Sequence, residues 1–98
     1  MSRFVLTEKA DEDLNLIWEY IAGQGDIDAA DRVGQEILAA ILQLSEMPDM
    51  GHRRPDLTQR QYRFWTVHSY AIVYDPESSP LNIVRVLSWY RDLPGILE

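Results

Sequence analysis

The hydrophobic residues change their period halfway along the chain, and this change constrains the fold more than any other feature. In the first half they recur every three or four residues, in two segments separated by GQGD at 23–26. This spacing is typical of amphipathic helices, for which Thr7 and either Asp26 or Asp28 are suitable N-caps. In the second half, three segments are rich in aromatic and β-branched residues, as β-strands are. The sequence therefore predicts two helices followed by three strands.

We predict a single α+β domain over residues 1–98, in the order β-α-α-β-β-β. An antiparallel two-helix hairpin would cover one face of a mainly antiparallel sheet. The last strand is apolar on both faces and should therefore be central. Gly34, inside the second helix, predicts a close approach to the first helix. The predicted strands are RFVLT at 3–7, QYRFWTV at 61–67, YAIVYD at 70–75 and LNIVRVLS at 81–88.

The composition argues against several classes of protein. The chain has no cysteine, so disulfides and zinc–thiolate sites are absent, and its two histidines lack the carboxylate spacing of a metal site. We also find no cofactor-binding motif. The longest apolar run, ILAAIL, is too short to cross a bilayer, and the N-terminus does not resemble a signal peptide. We therefore expect a cytoplasmic protein with no metal and no cofactor.

The charge is unevenly distributed along the chain. A formal net charge of −7 argues against a general nucleic-acid binder. The first 49 residues carry eleven acids against three cations, whereas residues 50–98 carry five acids against six arginines. Four of these arginines lie in one segment, GHRRPDLTQRQYR at 51–63. This segment is either a docking surface for an acidic partner or a solvated loop.

A further arginine, Arg85, interrupts the strand that we predict to be central. By strict alternation it shares a face with Ile83 and Leu87, and a charge there must be paired or accessible to solvent. We expect an open groove on the sheet face away from the helices, with these three residues as its floor. The alternative is a structural ion pair within the domain.

Four segments follow one another along the chain: LTEKADEDLNLIWEYIA with DAADRVGQEI, then MPDMGHRRPDL, YRFWTVHSYAIVYD and IVRVLSWYRDLPGILE. Taken in this order, they resemble ParE toxins of the RelE/ParE superfamily. The resemblance covers nearly the whole chain and implies the toxin of a type II toxin–antitoxin pair. ParE-type toxins inhibit DNA gyrase, whereas RelE-type relatives cleave mRNA on the ribosome. Both are silenced by an antitoxin whose disordered C-terminal segment wraps around the toxin. The resemblance therefore implies that the antitoxin of this chain is a ParD-like ribbon-helix-helix protein.

The tail argues for gyrase inhibition rather than RNA cleavage. Arg91 matches the tail arginine of the superfamily, and Tyr90 beside it is the other weak candidate for catalysis. Ser88, however, stands where many relatives have a histidine, and neither His52 nor His68 replaces it. RNA cleavage needs an acid and a base, so we expect a protein that is not an enzyme. The alternatives are a RelE-like endoribonuclease and a degenerate toxin that only binds its antitoxin.

Two sets of residues are candidates for binding. Trp, Tyr and Arg favour interface hot spots, so Trp89, Tyr90 and Arg91 are our candidates for target binding. The alternative is that Trp89 and Tyr90 pack on the helix hairpin and Arg91 pairs with Asp92 or a helical acid. The candidates for binding the antitoxin are Arg53, Arg54, Arg63, Trp65, Ile83, Arg85 and Leu87.

Overall fold

The predicted α+β architecture is confirmed by the computed structural model, which describes residues 3–97. Its elements are β1 (Phe4–Leu6), α1 (Glu8–Gly23), α2 (Ile27–Glu46), a 3₁₀ turn (Pro48–Met50), β2 (His52–Arg53), β3 (Arg63–Val67), β4 (Tyr70–Asp75), β5 (Leu81–Ser88) and α3 (Leu93–Leu97). The sequence did not predict β2 or α3, which are too short to show a hydrophobic period. No helix within residues 3–97 is both long and apolar enough to span a bilayer.

The five strands form one sheet in the order β1-β5-β4-β3-β2. β5 is central, as predicted, and pairs in parallel with β1 and antiparallel with β4. β1 reaches only as far as Ile83 along β5. The second half of β5 therefore has no strand on that side, and this gap shapes the candidate site.

Both predicted N-caps of the helices are present. The Thr7 hydroxyl accepts a hydrogen bond from the Ala10 amide, and the Asp26 carboxylate accepts one from Ala29. α1 and α2 pack on one face of the sheet. The buried side chains of this main core are Ala10, Ile37, Ala40, Ile41, Leu44, Ile72, Tyr74, Leu81, Ile83 and Val86.

The structure contradicts our explanation of Gly34. A Cβ atom added there would meet no atom within 4 Å, so the helices do not require a glycine for close packing. Space is short at Gly51, where a Cβ atom would lie 2.4 Å from the Tyr74 hydroxyl oxygen. That hydroxyl accepts a hydrogen bond from the Gly51 amide and donates one to the Pro48 carbonyl. Tyr74 thus holds in place the connector between α2 and the sheet, residues 47–51.

The other face of the sheet is also covered. α3 places Leu93 and Leu97 against Phe64, Val73 and Leu87, all of which are buried. Part of the 54–62 loop packs beside them. This second, smaller core occupies the face on which we predicted an open groove.

Candidate functional site

Arg85 forms a structural ion pair, so the predicted groove is wrong. Its Nε and Nη2 atoms each donate to an oxygen of Asp13 on α1, at 2.8 Å. The side chains of Arg85 and Asp13 are only 15% and 5% exposed. The hydrogen bond to Asp13 is the main reason that the pKa of Arg85 is raised above its ordinary value. Asp13 also accepts a hydrogen bond from the Val86 amide at 3.0 Å. It thus provides an acceptor for a backbone amide of β5 beyond the point where β1 ends.

A β-bulge explains why the alternation along β5 was misjudged. Val73 pairs with Arg85, yet the next residue of β4, Tyr74, pairs with Ile83. The extra residue on β5 shifts the alternation by one position. Ile83 therefore faces the helices, whereas Leu87 lies beneath α3 on the opposite face. Both are buried, and they cannot form the floor of one open surface.

The arginines of the 51–63 segment are dispersed over the domain. Arg53, on the edge strand β2, lies opposite Arg63 of the neighbouring strand β3. Arg63 donates to the Gly51 carbonyl at 2.7 Å, and so holds the connector in place. On β3, Trp65 is half-buried and packs against the main core on the helix side. The segment therefore forms no single basic surface, although Arg53 and Arg54 are exposed.

Arg54 links this segment to the end of β5. It forms two hydrogen bonds to Asp56, which raise the pKa of Arg54 and lower that of Asp56. Its guanidinium carbon also lies 5.3 Å from the centre of the Trp89 ring. Trp89 in turn donates to the Thr66 hydroxyl at 3.1 Å and packs beside Phe64. Trp89 is thus packed within the domain, as in the alternative to target binding, but it lies on the sheet face away from the helix hairpin.

Tyr90 and Arg91 are exposed at the end of β5. Tyr90 is 90% exposed and does not pack on the helix hairpin. Among the described residues, Arg91 has no carboxylate partner. The neighbouring Asp92 instead accepts the Gly95 amide, at 3.4 Å, at the start of α3.

Both exposed residues border a groove of about 810 Å³ between α1 and the end of β5. We call it the tyrosine groove; its lining includes Leu16, Tyr20, Tyr70, Ser88, Tyr90 and Arg91. Leu16 and Tyr20 on α1 are 60% and 65% exposed, and burial raises the pKa of Tyr70. The groove thus combines apolar and aromatic surface with Arg91, for which residues 3–97 provide no carboxylate partner; aromatic residues and arginine are enriched in protein-binding surfaces.

The sequence contained a signal for the α1 side of this groove that we did not use. Leu16 and Tyr20 are four residues apart, and they lie off the stripe formed by Leu14, Ile17 and Ile21. A second apolar pair outside the core stripe indicates an exposed apolar surface.

The described lining of the groove includes neither histidine nor lysine. Its carboxylates are Asp13, which is held by Arg85, and the exposed Glu19. Residues 3–97 also contain no group of three His, Cys, Asp or Glu side chains that could hold a metal ion.

Comparisons with known proteins bear on the family and the fold of the chain. A family model described as the ParE toxin of the type II toxin-antitoxin system, parDE, matches residues 4–93. Among solved structures, a chain described as "Chromosomal ParDE TA system from P. aeruginosa" superposes with a TM-score of 0.72 and 19% sequence identity. The alignment covers 89% of this chain and 98% of that chain. At this level of identity the likeness concerns the fold alone. No curated protein matches the sequence.

Proposed function

Because the chain belongs to the ParE toxin family of type II toxin–antitoxin systems, we propose that it inhibits DNA gyrase and that a cognate antitoxin neutralises it. It does so by binding, without catalysing a reaction, in the cytoplasm. The antitoxin is a ParD-like ribbon-helix-helix protein with a C-terminal segment that wraps around the toxin.

The exposure of Tyr90 and Arg91 carries this proposal. A tyrosine that is 90% exposed at the end of a central strand contributes little to folding. Tyr and Arg are instead the residue types that dominate binding energy when a partner covers them. The tyrosine groove beside them supplies further apolar surface from Leu16 and Tyr20. We assign this end of β5 to the target.

The contact between Arg54 and Trp89 suggests how an antitoxin would block the target surface. Arg53 and Arg54 are exposed cations, and an acidic antitoxin segment would pair with them. Arg63 and Trp65 lie on the helix side of the neighbouring strand β3, so we leave them out of this docking surface. Since Arg54 stacks on Trp89, and Tyr90 follows directly, a segment bound at Arg54 approaches the target surface. Antitoxin and gyrase would then compete for adjoining residues.

Two assays, run side by side, test the proposed activity. The purified chain is added to a DNA supercoiling reaction with gyrase, and separately to ribosomes programmed with a defined mRNA. We expect inhibition of supercoiling, relieved by the antitoxin, with the mRNA intact. Cleavage of the mRNA with normal supercoiling would overturn the proposal and favour the RelE-like endoribonuclease. If both reactions are unaffected while the antitoxin still binds, the chain is a degenerate toxin, and the proposal fails.

A further inference from the structure

A second pocket, separate from the tyrosine groove, gathers cations from three parts of the chain. It has a volume of about 270 Å³ and lies where the start of α1, the 54–62 loop, β5 and α3 meet. We call it the cationic pocket; its lining includes Lys9, Arg60, Tyr62, Val84, Arg85 and Ile96. It shares no lining residue with the tyrosine groove. We infer that this pocket binds a phosphate monoester with an apolar or aromatic body.

Two of the three cations are uncompensated. Arg85 is neutralised by Asp13, and Glu12 adds a further negative charge nearby. Lys9 and Arg60, in contrast, have no carboxylate partner among the described residues. The chain has 16 acids and only nine lysines and arginines, so partners are not scarce. Both side chains are exposed, and an anion bound between them would relieve any repulsion between their charges.

The charge of these cations matches a phosphate monoester better than a single carboxylate. A phosphate monoester carries close to two negative charges near neutral pH. Lys9 and Arg60 supply two positive charges from different chain segments, and Arg60 can form paired hydrogen bonds to phosphate oxygens. Arg85 keeps its guanidinium bound to Asp13 and serves as a fixed wall of the pocket.

The remaining lining is apolar and selects for an organic body on the phosphate. Val84, Ile96 and Leu97 contribute aliphatic side chains, and Tyr62 contributes a half-buried aromatic ring. Inorganic phosphate would leave this surface exposed to water. An aromatic or apolar group beside the phosphate would cover it, which strengthens binding through the hydrophobic effect.

Amide chemical shifts of the full chain, titrated at constant ionic strength, test this inference. The ligands are phenyl phosphate, inorganic phosphate and phenol. We expect saturable shifts with phenyl phosphate at Lys9, Arg60, Tyr62 and Val84. Inorganic phosphate should bind the same residues at least about tenfold more weakly, and phenol should give no saturable shift. Equal affinity for both phosphates, or shifts spread over the whole surface, would overturn the inference.

Charge-removing variants make the test specific. Lys9→Gln and Arg60→Gln should each weaken phenyl phosphate binding by about tenfold or more, which corresponds to the lower end of the range for a hydrogen bond to a charged group. Arg32→Gln removes another exposed cation, on α2, which has no carboxylate partner within residues 3–97, and should leave the affinity unchanged. If Arg32→Gln weakens binding as much as Lys9→Gln does, the anion is attracted by general charge and the pocket is not a site.

The binding of phenyl phosphate can be tested independently of the proposed inhibition of gyrase. The Lys9→Gln, Arg60→Gln double variant should keep the melting temperature and any gyrase inhibition of the unmodified chain while losing phenyl phosphate binding. A chain that does not inhibit gyrase but binds phenyl phosphate would refute only the proposed function.

Discussion

Replacing Asp13 by alanine should destabilise the domain more than the loss of any exposed charge. Asp13 is 5% exposed and accepts three hydrogen bonds, two from Arg85 and one from the Val86 amide. The variant leaves a largely buried guanidinium without its counter-charge and the Val86 amide without its acceptor. Breaking a buried ion pair by removing one partner costs about 3–5 kcal/mol. Because Arg85 keeps some access to water, we expect about 3 kcal/mol.

That loss is large for a domain of 98 residues, whose total stability is about 5–15 kcal/mol. In urea, where the free energy of unfolding falls by about 1–3 kcal/mol per molar denaturant, the midpoint should drop by roughly 1–3 M. Circular dichroism at increasing urea concentrations measures this shift directly. The slope of the transition should stay the same, because the folded and unfolded states are otherwise unchanged.

A matched control separates burial from ion pairing itself. Arg54 and Asp56 form the same two-bond geometry on the surface. Asp56→Ala should therefore leave the urea midpoint almost unchanged, since exposed pairs contribute little. The double variant Asp13→Leu, Arg85→Met should regain much of the lost stability, because no charge is left buried alone. Equal midpoints for Asp13→Ala and Asp56→Ala would refute our account of how α1 is joined to β5.

Three further predictions concern the helices, the connector and the antitoxin surface. Gly34→Ala should raise the free energy of unfolding by up to about 1 kcal/mol in thermal melts, because its Cβ enters open space in a helix; a lower melting temperature would show that the space is not free. Burial raises the pKa of Tyr74 above its ordinary value of 10.0. The contribution of Tyr74 to the free energy of unfolding should thus be constant below pH 10 and decrease as the pH rises further, because the unfolded chain then loses the tyrosine proton before the folded chain does. Tyr74→Phe should lack this part of the alkaline loss of stability. An identical pH profile for the variant and the unmodified chain would contradict the prediction. Charge reversal by Arg53→Glu with Arg54→Glu should weaken antitoxin binding at least about tenfold by calorimetry, whereas Arg32→Glu should not; equal losses would mean that the arginines act only through net charge.

Much of the fold could be predicted from the sequence, because long periodic segments determine it. The helix pair, the N-caps at Thr7 and Asp26 and the central position of β5 all follow from local patterns. The helix α3 did not, since five residues, LPGIL, carry no measurable period. Its omission led us to expect an open sheet face where a second core lies.

The candidate site was less predictable, because it depends on residues that are distant in sequence. The bulge between Val73 and Tyr74 has no signature in the sequence, yet it reverses the faces of all later residues on β5. The Asp13–Arg85 pair joins residues 72 positions apart. Tyr90 and Arg91, in contrast, were identified from residue type alone and are exposed as a binding role requires.

The central claim is that the exposed end of β5 binds gyrase, and one measurement tests it most directly. It compares the toxin concentrations that half-inhibit gyrase supercoiling, for the unmodified chain and for the Tyr90→Ala, Arg91→Gln double variant. Both side chains are exposed, so the variant should keep the melting temperature of the unmodified chain. Loss of two interface hot spots should raise the inhibitory concentration about 30-fold or more, and Arg32→Gln should leave it unchanged. A folded double variant that inhibits as well as the unmodified chain would contradict the assignment of this surface to the target.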